Sequence, residues 1–118
     1  MPKPIAKITK RAPRRNRAAP SLSYEGWLIE RLKDPAEAAA YLEAIFEGGD
    51  QVAIMLALRQ VARAQGGLAS IARKAHLTRE ATYKMLSKSG NPELRSLSAV
   101  LKATGLRISV KPIEKRAV

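Results

Sequence analysis

The stretch QVAIMLALRQVARAQ, residues 51–65, limits the fold more than any other. Apolar side chains cover most of its helical circumference, leaving no broad polar stripe for water. A helix of that kind has to be surrounded by other helices, so it is read as the central core element. Asp50 stands before it as an N-cap. Gly66-Gly67 ends it, and Gly48-Gly49 ends the element before.

The neighbouring segments carry narrower stripes. In SYEGWLIERLKD, Tyr24, Trp27, Leu28 and Leu32 fall at helical spacing from Ser23 onward. Asp34-Pro35 then starts a second helix, with proline at the first position, where the missing N–H costs nothing. Ala38, Tyr41, Leu42, Ile45 and Phe46 recur there as one apolar face. After the core helix, LASIARKA aligns Leu68, Ile71, Ala72 and Ala75. A short segment from Thr78 to about Lys88 follows, then a Ser89-Gly90-Asn91-Pro92 turn. ELRSLSAVLKAT turns Leu94, Leu97, Val100 and Leu101 inward and stops at Gly105.

LRISVKP alternates Leu106, Ile108 and Val110 with Arg107, Ser109 and Lys111, which is strand periodicity. A lone strand leaves its backbone groups unpaired, so the same strand of a second copy is its expected partner, giving a homodimer. A short extended tail is the other reading. The fold class expected is all-α, five to six helices with one C-terminal β-strand. Its parts are a disordered basic tail (1–22), one domain (23–112) and a short C-terminal tail (113–118). Residues 1–22 hold four prolines and seven basic residues, too little apolar surface to offset ordering entropy. That tail reads as a phosphate-gripping arm, a solubilising extension or the product of a start codon set too far upstream.

Charge narrows the partners. The 118-residue chain carries a net +12, a field that favours polyanions, chiefly nucleic acid. Residues 25–50 depart from it, with seven acids against Arg31 and Lys33, a net −5. Residues 51–118 carry +10. Two surfaces with different partners fit that distribution. There is no cysteine, so disulfides and thiolate metal sites are excluded. No His, Asp and Glu set has metal-ligand spacing, there is one histidine, and no glycine-rich phosphate loop occurs. No enzyme activity, cofactor, metal or small-molecule substrate is therefore expected. No apolar run reaches the roughly 20 residues of a membrane span. The first residues lack the apolar core of a secretory signal, so a soluble, cytoplasmic protein is expected.

Residues 68–75 and about 78–87 form a helix-turn-helix candidate. Thr78 suits the N-cap of the second helix and Leu77 an apolar plug in the turn. At about 100° per residue, Arg79, Glu80, Tyr83 and Lys84 share one arc, with Ala81, Met85 and Leu86 largely opposite. Arginine can donate two bonds to guanine, lysine can reach guanine or phosphate, and glutamate can accept from cytosine. Thr78, with the free N–H groups beside it, can hold a phosphate. Periodicity alone fits a solvated polar face on a core helix slightly better.

IARKAHLTREATYKML resembles the Xre/Cro-type, lambda-repressor-like helix-turn-helix. Residues 23–112 are similar to the HigA-like addiction-module antidote family. The matching stretches are YEGWLIERLKDPAEAAAYLEA, EGGD, LALRQVARAQGG, LTRE, YKML, SGNP and LKATGLRISVKP. The resemblance implies an antitoxin of a type II toxin–antitoxin module. Such a protein binds and neutralises a small basic RelE/ParE-type toxin encoded next to it. As a dimer it represses its own operon by binding double-stranded operator DNA. It assigns base reading to Arg79, Glu80 and Lys84, a phosphate to Thr78, and a place beside them to Tyr83. His76 stands where the pattern has a turn glycine, Thr82 where an apolar residue is usual, and Gly67 where methionine or leucine is common. With a basic toxin as partner, the acidic block becomes a candidate contact surface. Glu43 and Glu47 share a helix face there, and Tyr24, Trp27 and Leu28 could be apolar anchors; otherwise Trp27 packs inward and the acids only solvate. A stand-alone prophage-type regulator without a toxin is the alternative, and an inhibitor whose helix-turn-helix no longer binds DNA is a third.

Overall fold

A computed structural model describes residues 19–114, with side chains from Tyr24 onward. Among the described residues six helices follow one another: α1 (Ala19–Arg31), α2 (Pro35–Gly48), α3 (Gln51–Ala64), α4 (Leu68–Ala75), α5 (Arg79–Met85) and α6 (Leu94–Ala103). Most are too short to persist alone in water, so packing holds them. Capping sets their limits. Asp34 accepts from the Ala36 N–H at 3.0 Å, and Asp50 accepts from the Val52 N–H at 3.3 Å. Gly66 and Gly67 have φ of 110° and 95°, which carries the chain from α3 into α4 through backbone that other residues rarely adopt.

The core gathers around α3, as its composition requires. Met55, Ala57, Leu58, Val61 and Ala62 are buried against Leu28 of α1, Leu32 just after it, Leu42 of α2, Ile71 of α4, Leu86 after α5, and Val100 and Leu101 of α6. Each fully buried leucine or valine contributes about 1.5–3 kcal/mol relative to exposure. α2 and α1 pack on α3, while α5 and α6 pack on α4. Gln65 fastens the end of α3 to the end of α1, its amide donating to the Leu32 and Lys33 carbonyls at 3.1 Å each.

Several expectations need correction. α3 is not covered all round: Val52 and Leu56 stay exposed on one face. Phe46 and Leu94, read as inward, are exposed too. α1 begins at Ala19, inside the segment expected to be a disordered tail; the rest of that tail, 1–18, lies outside the described residues, as does the end of the C-terminal tail, 115–118. The expected C-terminal strand is absent among the described residues. Leu106, Ile108 and Val110 belong to an irregular segment with no ladder. Alternation satisfies the side-chain period of a strand, but pairing makes one, and among the described residues no other extended segment pairs with it. Leu106 folds back, its N–H donating to the Leu101 carbonyl at 2.8 Å, and Lys111 reaches Glu43 of α2 at 3.2 Å.

Candidate nucleic-acid interface

α4 and α5 meet through a turn built on His76. Its φ of 61° and ψ of 40° place it in the left-handed region, at the position where the helix-turn-helix pattern has glycine. Histidine tolerates that conformation better than most residues, at a cost of about 1–2 kcal/mol. The cost is offset locally: the Leu77 N–H donates to the Ala72 carbonyl at 2.9 Å, and Leu77 packs against the core. Thr78 then caps α5, its hydroxyl oxygen accepting from the Ala81 N–H at 3.0 Å.

Thr82 is fully buried beneath this cap. Its hydroxyl donates to the Thr78 carbonyl at 2.9 Å, so no polar group is left unpaired where an apolar residue would be usual. With Leu86 also fully buried, one face of α5 is fixed against the core. Arg79, Glu80, Tyr83 and Lys84 are all exposed along one neighbouring arc, together as expected. Ala81 is exposed with them, against the expectation that it packs inward. Its methyl adds a small apolar contact to the polar arc. The Arg79 guanidinium lies over the Tyr83 ring, 5.8 Å from the centroid. Such a contact is worth about 0.5–1 kcal/mol when exposed. It narrows the orientations Arg79 samples.

The far end of α5 is held by residues whose role sequence reasoning missed. Arg59, on α3, donates from Nη1 to the Leu86 carbonyl at 2.8 Å. Gln51, also on α3, donates to the Gly90 carbonyl at 3.1 Å. Gly90 itself is pressed against the end of α5: a Cβ there would lie 2.0 Å from the Met85 carbonyl oxygen. A basic residue eight positions after a polar one on the core helix is the only trace of this in the sequence, and it is not distinctive.

A second exposed feature lies between α1 and α2. An open groove of about 370 Å³ is lined by Tyr24, Trp27, Arg31, Glu37 and Tyr41. The Tyr24 and Trp27 rings are 5.9 Å apart, and Arg31 sits 5.2 Å above Trp27 while donating to Glu37 at 2.9 Å. Both aromatic rings are exposed, so Trp27 does not pack inward. Leu28 does: at 6 % exposure it is a core residue showing only at the groove floor, and it is withdrawn as a surface anchor. Tyr41 donates its phenol to the buried Gln60. Partial burial raises its pKa above the ordinary tyrosine range, with Coulombic interaction with Tyr24 and Glu25 adding to the effect.

The acids nearby are mostly engaged. Glu25 pairs with Arg63, Glu30 with Lys33, Glu37 with Arg31, and Glu43 with Lys111. Glu47 is exposed and makes no ion pair among the described residues. Glu43 and Glu47 share a face of α2 as expected, turned away from Leu42. Among the described residues, no group of three His, Cys, Asp or Glu side chains could hold a metal ion, and no helix is long and apolar enough to cross a membrane.

Comparison with known proteins adds an independent line. A sequence model of the family described as probable addiction module antidote protein matches residues 27–112. A Haemophilus influenzae protein named only as an uncharacterized protein is 37% identical over 84 residues, which is 71% of this chain and 86% of the relative. No solved structure matches.

Proposed function

The chain belongs to the family of probable addiction module antidote proteins, and on that premise we propose that it is the antitoxin of a type II toxin–antitoxin module that also represses its own operon. Its toxin partner is a small basic protein of the RelE/ParE kind, encoded beside it. The protein acts in the cytoplasm as a homodimer and catalyses nothing. Exposed Ile108 and Val110 support the homodimer, because a second copy would cover them.

The observation that carries DNA binding is the division of α5 into two faces. Thr82 and Leu86 are fully buried on one, while Arg79, Glu80, Tyr83 and Lys84 project together on the other. In the helix-turn-helix mode the second helix enters the major groove. Arg79 and Lys84 would then meet guanine edges or phosphates, Glu80 a cytosine amine, and Thr78 a phosphate. Tyr83 would steady Arg79 from beside it.

Toxin contact is assigned to the exposed Tyr24 and Trp27 with Glu43 and Glu47. The ion pairing of Glu43 and its neighbours favours a second reading, a stand-alone DNA-binding regulator whose acids serve only its own fold. One pair of experiments separates them. Mobility-shift titration on the DNA upstream of the gene should show specific binding, lost in the Arg79→Ala, Lys84→Ala double variant while the far-ultraviolet circular dichroism stays unchanged. Unaltered operator binding by that variant would remove α5 as the reading helix. Co-expression with the adjacent reading frame should yield a complex that withstands purification; a neighbour that never co-purifies leaves the stand-alone regulator.

A further inference from the structure

We propose that Arg59 and Gln51 are positioning residues that set the pitch of α5 and thereby its sequence discrimination, without touching DNA themselves. The inference rests on the reading of α5 as the DNA-contacting helix. Arg59 is a cation in a strongly basic chain, so charge counting would place it on phosphate. Its guanidinium is instead half-buried and donates to the Leu86 carbonyl at 2.8 Å. That carbonyl is an orphan acceptor at the C-terminal end of α5, where a cation is favoured by the helix dipole as well. Gln51, two turns earlier on the same helix, donates to the Gly90 carbonyl at 3.1 Å. α3 thus grips the recognition helix at two points just beyond its last turn.

The other end of α5 is fixed differently, by the Thr78 cap and by Thr82 bonded to the Thr78 carbonyl. α5 has seven residues; its two fully buried contacts, at Thr82 and Leu86, lie near one line along the helix, with Met85 only partly buried beside them. Contacts on one line restrain translation better than rocking about that line. Arg59 and Gln51 hold backbone carbonyls beyond the last turn, apart from those buried side chains, and so oppose that rocking. Rocking would swing Arg79, Glu80 and Lys84 across the groove, and base contacts depend on such angles far more than phosphate contacts do. Removing these donors should therefore cost discrimination before it costs affinity.

The test uses the full chain with Arg59→Met, Arg59→Lys and Gln51→Ala, titrated against upstream operator DNA and a scrambled duplex over a range of salt. For Arg59→Met the ratio of operator to scrambled binding should fall about tenfold or more. The slope of log K against log salt should stay that of the unaltered protein. A lost phosphate contact would instead lower that slope by about 0.9 per contact and weaken both duplexes together. Arg59→Lys, which keeps a donor of the same charge, should recover part of the ratio. In the free protein, amide hydrogen exchange at Ser87 and Gly90 should quicken in Arg59→Met while the amides of α3 and α6 keep their protection. An unchanged ratio, a reduced salt slope or unchanged exchange at Ser87 and Gly90 would each overturn the proposal. No specific binding by the unaltered chain would overturn the DNA reading, and this inference with it.

Discussion

Gly90→Ala should be the most damaging single-methyl change in the domain, and Gly26→Ala should do the opposite. A Cβ on Gly90 would lie 2.0 Å from the Met85 carbonyl oxygen, 2.6 Å from its carbon and 3.1 Å from the Lys84 oxygen. All three atoms are backbone at the end of a helix and cannot rotate aside, so the turn must move outward. That movement stretches the bond from the Gly90 N–H to the Ser87 carbonyl, now 2.8 Å, and the bond from Gln51 to the Gly90 carbonyl. Each such bond nets about 1 kcal/mol, and strain from the displaced turn adds to them. The loss should total about 2–4 kcal/mol, within the range of substitutions that break backbone packing. In a domain of this size each kcal/mol shifts Tm by about 4–8 °C, so Tm should fall by about 8–32 °C. Gly26 lies inside α1 with nothing within 4 Å of its would-be Cβ. Alanine there should add up to about 1 kcal/mol by helix propensity. Thermal melts followed at 222 nm (a helix wavelength), with urea titrations beside them, measure both. A Gly90→Ala melt within about 3 °C of the unaltered protein, less than 1 kcal/mol on that scale, would refute the close approach.

Two further substitutions probe buried polar groups. Thr82→Val removes a hydroxyl whose acceptor, the Thr78 carbonyl, keeps the Thr82 N–H as a partner at 3.0 Å. Stability by urea titration should stay within about 1 kcal/mol of the unaltered protein, and Thr82→Ser, which loses the buried methyl, should be the less stable of the pair. Tyr41→Phe leaves the Gln60 side chain, 7 % exposed, without its donor, and should cost about 1–2 kcal/mol at neutral pH. Because the folded state raises the Tyr41 pKa, the phenol's contribution is complete below the unfolded value of about 10 and is lost as pH rises through the folded value. The gap between the two melts should therefore narrow as pH rises beyond about 10; a constant gap across that range would contradict the assignment.

How much of this was legible in the sequence depends on the range of the cause. Asp34, Asp50 and Thr78 were readable as caps because a cap acts on a backbone N–H two or three residues away. The central place of α3 was readable because no other burial suits its composition. Leu28 and Trp27 are adjacent residues that both fit an apolar stripe, yet one is core and the other exposed. α1 meets α3 along a narrow line through Leu28 and Leu32, and the width of that line is a property of packing. The strand at Leu106–Val110 failed for a related reason: its alternation is local, but the ladder it needs is not. Arg59 was illegible as a positioning residue because its acceptor is a backbone carbonyl 27 residues away. Every residue carries such a carbonyl, so none marks itself as the partner.

The acidic block shows how folding redistributes a charge that counting along the chain treats as fixed. Residues 25–50 carry −5, which suggests an open surface waiting for a cation. Asp34 and Asp50 are committed to helix ends, however, and Glu25 and Glu43 draw in Arg63 and Lys111 from outside the block. With those two cations beside it, the −5 of that region becomes −3. The pairs themselves are exposed, and exposed pairs contribute about 0–1 kcal/mol each, so a basic partner could displace Arg63 or Lys111 at little cost. What the pairing removes is therefore reach more than affinity. A field of −3 on a protein of net +12 steers a cation weakly beyond a Debye length of about 8 Å at physiological salt. A basic partner docking on α1 and α2, as proposed, would then have to be recognised by close contact, and there the exposed Tyr24 and Trp27 rings, whose area can be desolvated, would outweigh the carboxylates around them.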